Sequence, residues 1–213
     1  MKKVIFIFIL LINCIPVKGQ NIAEVFANNQ NVSHEIWLGG ALTDSTQLGF
    51  FNYTRFRLDY ESSEANEFLS YSTINYELMN GFGLFGGAYV LDNEFYPVVG
   101  MSYFVQTENW LVNAFPSLEF RDDPNVELFL FFQFHPKISK ELRLFSQLII
   151  NSNFDFDQHN FSEQNLRVGL DYRSFQFGIG LDSSQVEVQN GAVPNTTTTD
   201  FNINLGVFLR KEF

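Results

Sequence analysis

The arginines are the residues of this sequence whose type and spacing most clearly suggest a chemical role. All seven fall on the polar side of an alternating pattern, among Gly, Asn, Gln, Glu and bulky aromatic side chains: Arg55, Arg57, Arg121, Arg143, Arg167, Arg173 and Arg210. A guanidinium bridges several acceptors at once. When such groups line a channel with low-dielectric walls, their potential favours anions. The arginines are therefore the candidate anion-binding residues of an enclosed interior.

The elements that carry these arginines are predicted from strict alternation of apolar and polar residues, which is the period of a β-strand. The pattern is clearest at positions 201, 203, 205, 207 and 209, which are Phe, Ile, Leu, Val and Leu. Eleven such segments of about 9 to 13 residues follow residue 34 and none has a helical period, while residues 22–31 supply a weaker twelfth. We predict an all-β chain of about 12 strands, with ten as the alternative.

The connections between these segments differ in length. Tight turns are predicted at 173–174 and at 79–81, and a short one at 136–140. Longer loops are predicted at 183–199 and 155–163. Short turns at one end and longer loops at the other are typical of an outer-membrane barrel.

Composition excludes several classes of protein. The 213 residues include 26 Phe, 8 Tyr and 2 Trp, and this aromatic content excludes a disordered chain. The formal net charge of −11 offers no electrostatic footprint for nucleic acid. After residue 20, no apolar run approaches the roughly 20 residues that a membrane-spanning helix needs. A helical membrane protein is therefore excluded.

The first 19 residues have the pattern of a secretory signal peptide. Lys2 and Lys3 precede an apolar stretch at 4–12, and Gly19 ends a plausible cleavage site. Cys14, the only cysteine, lies in this segment within a poor match to a lipidation motif. We expect residues 1–19 to be a signal peptide and residues 20–213 to form one barrel domain without disulfides.

A transmembrane barrel and a soluble β-sandwich or lipocalin-like protein both have one apolar sheet face. The distribution of charged residues distinguishes these classes of protein. After residue 19 the chain has three lysines, at positions 137, 140 and 211, whereas a soluble surface typically has many. The apolar parity is almost free of charge, as a lipid-facing surface requires. Strands of about ten residues match the tilted span of a bilayer. We therefore predict a single antiparallel transmembrane β-barrel.

The last nine residues, LGVFLRKEF, support this prediction, because they resemble the C-terminal signal of bacterial outer-membrane barrels, which ends in an aromatic residue such as Phe213. The Phe and Asn content is similar to that of small uncharacterised barrels of the Bacteroidota. The resemblance implies the outer membrane of a Gram-negative bacterium. It also implies contact with the assembly machinery, membrane lipids and lipopolysaccharide. An unidentified protein partner is a further possibility.

Whether the interior is open depends on what accompanies the arginines. Carboxylates such as Asp59, Glu77, Glu119, Glu127 and Asp171 share their parity and could neutralise them in a hydrogen-bonded lattice. Several phenylalanines are predicted to crowd the same interior: Phe85, Phe115, Phe129, Phe131 and Phe145. We expect a largely filled, non-catalytic barrel with a structural or accessory surface role. The alternative is a small porin that passes anionic solutes such as acidic oligosaccharides.

Catalysis is not expected from the spacing of the histidines. Lipid-acting barrel enzymes use a His beside a nucleophilic Ser, and neither His34 nor His135 has a Ser two residues away on its strand face. His159 and Ser162 are predicted to be loop neighbours that match no such motif. A lipid-modifying enzyme would need a His–Ser pair in contact. No catalytic residues and no cofactor are expected.

Metal binding is not expected either. Three carboxylates, Asp155, Asp157 and Glu163, could hold a divalent cation in one loop, but solvation is the simpler interpretation. The other acidic loop residues could contact lipopolysaccharide through bridging Ca²⁺ or Mg²⁺, and again solvation is the simpler interpretation: Glu61, Glu64, Glu67, Asp92, Glu94, Asp122 and Asp123.

Overall fold

Twelve antiparallel strands form a closed barrel in the computed structural model, which describes residues 21–42, 46–92, 94–121, 124–155, 159–189 and 197–213. Each strand pairs with its neighbours in sequence, and β12 pairs with β1 to close the sheet. The strands are β1 (Ile22–Asn28), β2 (Asn31–Ala41), β3 (Leu48–Asp59), β4 (Glu67–Met79), β5 (Phe82–Leu91), β6 (Glu94–Gln106), β7 (Trp110–Glu119), β8 (Asn125–Phe134), β9 (Leu142–Phe154), β10 (His159–Tyr172), β11 (Phe175–Gln189) and β12 (Thr197–Glu212). The predictions of an all-β barrel and of 12 strands are confirmed.

The signal peptide predicted at residues 1–19, with Cys14, lies outside the described residues. Among the described residues, one short 3₁₀ turn, Ser63–Ala65, is the only helical element. No helix in this part of the chain is long and apolar enough to cross a bilayer.

The weakest predicted segment supplies the strand that closes the barrel. Its apolar residues form β1, and its asparagines form the turn that follows. The side-chain oxygen of Asn28 accepts hydrogen bonds from the backbone N–H groups of Gln30 and Asn31, both at 2.8 Å. Such local side-chain to backbone bonds are the reason that Asn favours turns over strands.

The two tightest connections are as predicted. Asn80 and Gly81 have φ of 48° and 82°, and Arg173 and Ser174 have φ of 52° and 66°. Two successive residues with positive φ form the hairpin turn whose twist matches that of the strands. A side chain at Gly81 would place its Cβ 2.0 Å from the carbonyl oxygen of Phe104, so this turn requires glycine.

The longer predicted loops are shorter than expected, because the strands continue into them. β10 begins at His159 and β11 runs to Gln189, where the sequence becomes polar on both faces of the sheet. Backbone pairing continues there without apolar alternation. Once the strands are extended in this way, the two ends of the barrel do not differ in loop length, because each end has both two-residue and seven-residue connections. The expected division into short turns at one end and long loops at the other is wrong.

The two faces of the sheet are divided as the alternation predicts. On β12, Leu205, Val207 and Leu209 point outward and are 56–64% exposed, whereas Arg210 points inward and is 1% exposed. Large apolar side chains are exposed on the other strands too, including Ile74, Phe95, Met101 and Ile179. The barrel is therefore apolar outside and polar and aromatic inside, which is the arrangement of a transmembrane β-barrel.

Candidate functional site

Six of the seven predicted arginines lie in the barrel interior or at its rim. Arg55, Arg167 and Arg210 are buried, and Arg57 is half-buried beside Arg55. Arg121 and Arg143 lie at opposite ends of the barrel. The seventh, Arg173, is 62% exposed in the β10–β11 turn, where it pairs with Glu141. The prediction that Arg173 faces the lumen is wrong, because the two-residue turn directs its side chain away from the barrel.

Arg167 and Arg210 share one carboxylate in the first of two buried ion-pair networks. Glu24 accepts from the Nε of Arg167 at 2.9 Å and from the Nε of Arg210 at 2.8 Å. Asp182 pairs with Arg167 at 2.6 Å, and Gln147 accepts from Arg210 at 2.5 Å. This network joins two guanidiniums to two carboxyl groups, so it carries no excess of positive charge.

Arg55 and Arg57 form the second network with two carboxylates, Glu67 and Glu163. Arg55 lies 2.6 Å from Glu67 and 2.9 Å from Glu163, and Arg57 lies 2.7 Å from Glu163. The sequence interpretation placed Glu67 and Glu163 among the solvated loop carboxylates, which is wrong for both. Because β4 and β10 begin at or before these residues, both share the inward parity of their strands.

The buried charged groups are predominantly acidic. Among the described residues, the buried acids are Glu24, Glu35, Glu119, Glu127, Glu163 and Asp182, against the buried bases Arg55, Arg167 and Arg210. Six carboxyl groups therefore face three guanidiniums. An interior of this composition does not focus positive potential on a passing solute.

A layer of aromatic rings from β2, β3, β7 and β8 crosses the interior. Trp37 packs on Tyr53 and Phe131 with ring centroids 4.4 and 5.4 Å apart, and Phe115 packs on Phe51 at 5.5 Å. A cavity of about 430 Å³ lies on the side of the chain termini, and a void of about 40 Å³ lies on the other side. Phe51, Phe115 and Phe129 line both cavities, so these rings form the wall between them. The prediction that Phe85, Phe115, Phe131 and Phe145 point into the interior is confirmed.

The three histidines have different surroundings. His34 is exposed on the outer face, and His135 lies beside Arg143 at the end of the barrel that bears the termini. His159 is not in a loop: it begins β10, and its Nε2 lies 2.7 Å from the Oγ of Ser162. The prediction that His159 and Ser162 are neighbours in a loop is wrong, because both residues belong to β10.

A strand irregularity explains why the sequence did not reveal this contact. Residues 159 and 162 have opposite parity, so in a regular strand their side chains point to opposite faces. The pairing of β10 with β9 shifts its register between His159 and Phe161, which leaves one residue unpaired. A bulge of this kind re-aims a side chain. His159 consequently shares the outer face with Ser162.

The three carboxylates that could hold a cation in one loop do not all lie in a loop, since Glu163 belongs to β10. Glu163 is turned into the lumen, and Asp157 lies outside the described residues. No group of three or more potential metal ligands occurs in the part of the chain that the structure describes.

No protein-family model matches this chain, and no curated protein matches it. Solved structures similar to it include the KdgM porin, with 7% identity over 92% of this chain and 99% of that one, at a TM-score of 0.48. The NanC porin has 9% identity over 90% and 98%, at 0.46. LpxR from Salmonella typhimurium has 9% identity over 92% and 100%, at 0.39. Likenesses this distant assign the chain to no family and no activity.

Proposed function

We propose that this protein is an outer-membrane β-barrel whose lumen is closed by its own side chains. Its role is structural or accessory, and it is exercised at the membrane and cell surface rather than through the lumen. The proposal includes contact with outer-membrane lipids along the apolar exterior and recognition of Phe213 by the assembly machinery. Contact with lipopolysaccharide and with a further protein remains a prediction.

The observation that carries this proposal is the content of the lumen. The four interior arginines are paired with Glu24, Asp182, Glu67 and Glu163, and aromatic rings separate the two cavities. A solute would have to break these ion pairs or displace the rings to pass. The exterior supports the location in a membrane, because exposed apolar side chains of this number are typical of a lipid-facing surface.

The alternative, a small porin for anionic solutes, has less support. Such a pore needs guanidiniums that are free to meet the solute. Here the buried guanidiniums are neutralised, and buried carboxyl groups outnumber them. An anion would meet a neutral or acidic interior.

Electrical recording in planar lipid bilayers tests the proposal. We expect the purified, folded protein to give no discrete conductance steps in KCl, while a known porin recorded in the same bilayers gives them. Folding is checked by a difference in gel migration between unboiled and boiled samples. Discrete anion-selective steps would overturn the closed lumen and favour the porin. Recovery of the protein as a soluble species without a heat-dependent shift would overturn the membrane barrel. The absence of catalysis is not part of this proposal, because His159 contacts Ser162.

A further inference from the structure

Three side chains on the outer wall of the barrel have the geometry of an activated serine. The Oγ of Ser162 lies 2.7 Å from the Nε2 of His159, and the Nδ1 of His159 lies 3.6 Å from a carboxylate oxygen of Glu187. With the Nδ1 proton facing Glu187, the Nε2 lone pair is free to accept the serine proton. A nucleophile, a base in contact with it and an acid that orients the base are the parts needed for acyl transfer.

A fourth side chain, Ser152, completes the arrangement. Its Oγ lies 2.7 Å from the Oγ of Ser162 on the neighbouring strand. Either hydroxyl can donate in this second bond, and when Ser162 donates its proton to Nε2 of His159, the Ser152 hydroxyl is the donor. A donor so close to the nucleophile can turn to the oxygen of a carbonyl group under attack, where negative charge develops.

The position of this serine on the wall follows from the strand register. The serine row consists of the paired residues Ser152, Ser162, Gln185 and Phe201 on β9 to β12. Two rows closer to the termini, the leucine row consists of Leu148, Leu166, Leu181 and Leu205. The row between them is mixed, with Ile150, Gln164, Ser183 and Ile203. Ser162 therefore lies where the lipid-facing surface changes from apolar to polar.

The height of Ser162 agrees with this placement. Tyr172, at the other end of β10, is the last outward residue before the turn. Ten residues separate it from Ser162, which is about 33 Å along the strand and about 25 Å along the barrel axis at a tilt of about 40°. The apolar band of a membrane barrel is about 25 Å tall. Ser162 is thus level with the membrane interface at the end opposite the termini.

We propose that Ser162, His159 and Glu187 form an esterase site that hydrolyses acyl esters of lipids in the leaflet at that interface. The proposal rests on the membrane location argued above and deepens the surface role. His159 and Glu187 are partly exposed, whereas Ser162 is 7% exposed. A substrate can therefore reach the Ser162 hydroxyl only by inserting between side chains of the outer face. Lipid acyl chains that pack against the barrel are able to do this. An esterase site also differs from the sequence-based expectation of a protein without catalysis.

The reaction needs only the ester and water. The Ser162 Oγ adds to the ester carbonyl carbon while its proton passes to Nε2 of His159, and Glu187 stabilises the imidazolium. The bond from the carbonyl carbon to the alcohol oxygen breaks, and that oxygen takes the proton from His159. The acyl group is then an ester of Ser162. Water adds to it, gives a proton through His159 to the Ser162 oxygen, and releases a fatty acid.

The test uses the folded full-length protein in mixed vesicles of phosphatidylethanolamine and phosphatidylglycerol, and separately with lipopolysaccharide. Released fatty acid is measured, and a fluorophosphonate probe is used to label an activated serine, located by mass spectrometry. We expect release from at least one lipid and labelling on Ser162. Release from the first vesicles alone indicates a phospholipid substrate, and release from lipopolysaccharide alone indicates its acyl chains.

Variants separate the roles of the residues. S162A and H159A should lower the rate by about 10³-fold or more, as loss of a nucleophile or its base does. E187Q should lower kcat by about tenfold and leave KM unchanged, since Glu187 is a partly solvated positioning residue that acts through His159. S183A is the matched control. Ser183 is an outward, buried serine bonded to Gln164 at 2.7 Å, and its loss should leave the rate unchanged.

Two outcomes would overturn the esterase site. One is a heat-modifiable wild-type barrel that releases no more fatty acid than S162A and takes no label. The other is activity that survives H159A. Neither outcome affects the closed lumen, which is measured by conductance. Conversely, a conducting barrel that still hydrolyses lipid would overturn only the closed lumen.

Discussion

Glu24 holds two guanidiniums in the interior, and its replacement by glutamine measures how much this ion-pair network contributes to the free energy of unfolding. Arg167 has a second carboxylate partner, Asp182 at 2.6 Å, whereas the other partners of Arg210 are uncharged, the side chain of Gln147 and the ring of Phe145. Both arginines are 1% exposed, so water cannot replace the lost charge. Removal of one partner of a buried ion pair costs about 3–5 kcal/mol, and we expect E24Q to lower the free energy of unfolding by that amount.

The assay is urea unfolding of the folded barrel in lipid vesicles, followed by the fluorescence of Trp37 and Trp110. The midpoint should fall while the denaturant dependence stays the same. E141Q, which breaks the exposed pair with Arg173, is the control and should cost no more than about 1 kcal/mol. The double variant E24Q/R210M should recover most of the loss, because a neutral pair leaves no charge unpaired. An E24Q cost as small as that of E141Q would refute the reasoning, since it would mean that water reaches Arg210.

Three further predictions concern the aromatic rings between the two cavities, one end of the barrel, and assembly in the membrane. F115A should join the two cavities and produce conductance steps in planar bilayers that the wild type lacks; a silent, folded variant would show that the remaining rings close the lumen. Burial, and then the charge of Arg143, lower the pKa of His135 below 6.5 in the folded state. The free energy of unfolding should therefore decrease as pH falls below about 6.5, where the unfolded chain binds the proton more readily, and H135N should flatten this dependence in urea titrations. F213A should reduce the amount of barrel found in the outer membrane of cells without changing its unfolding in vitro, because Phe213 is 74% exposed; equal amounts in cells would contradict its role as an assembly signal.

Much of the fold was predictable because it depends on a local property. Side chains alternate between the two faces of a strand, so parity alone placed Arg55, Arg167 and Arg210 inside and Leu205 outside. The same parity places Glu163 inside, but the polar residues before it were interpreted as a loop. Alternation is lost where both faces of a sheet are polar, and strand ends cannot be located there from the sequence.

The sequence by itself determined that the chain is all-β, which face of each strand is apolar, and that arginines and aromatic rings share the interior. These properties follow from residue order within single strands. The tertiary structure decided which groups neutralise the arginines, because Glu24 and Arg210 are 186 residues apart and meet only when β1 closes on β12. It also decided that His159 contacts Ser162. That contact depends on a shift in strand register, and register is a property of two paired strands rather than of one sequence segment.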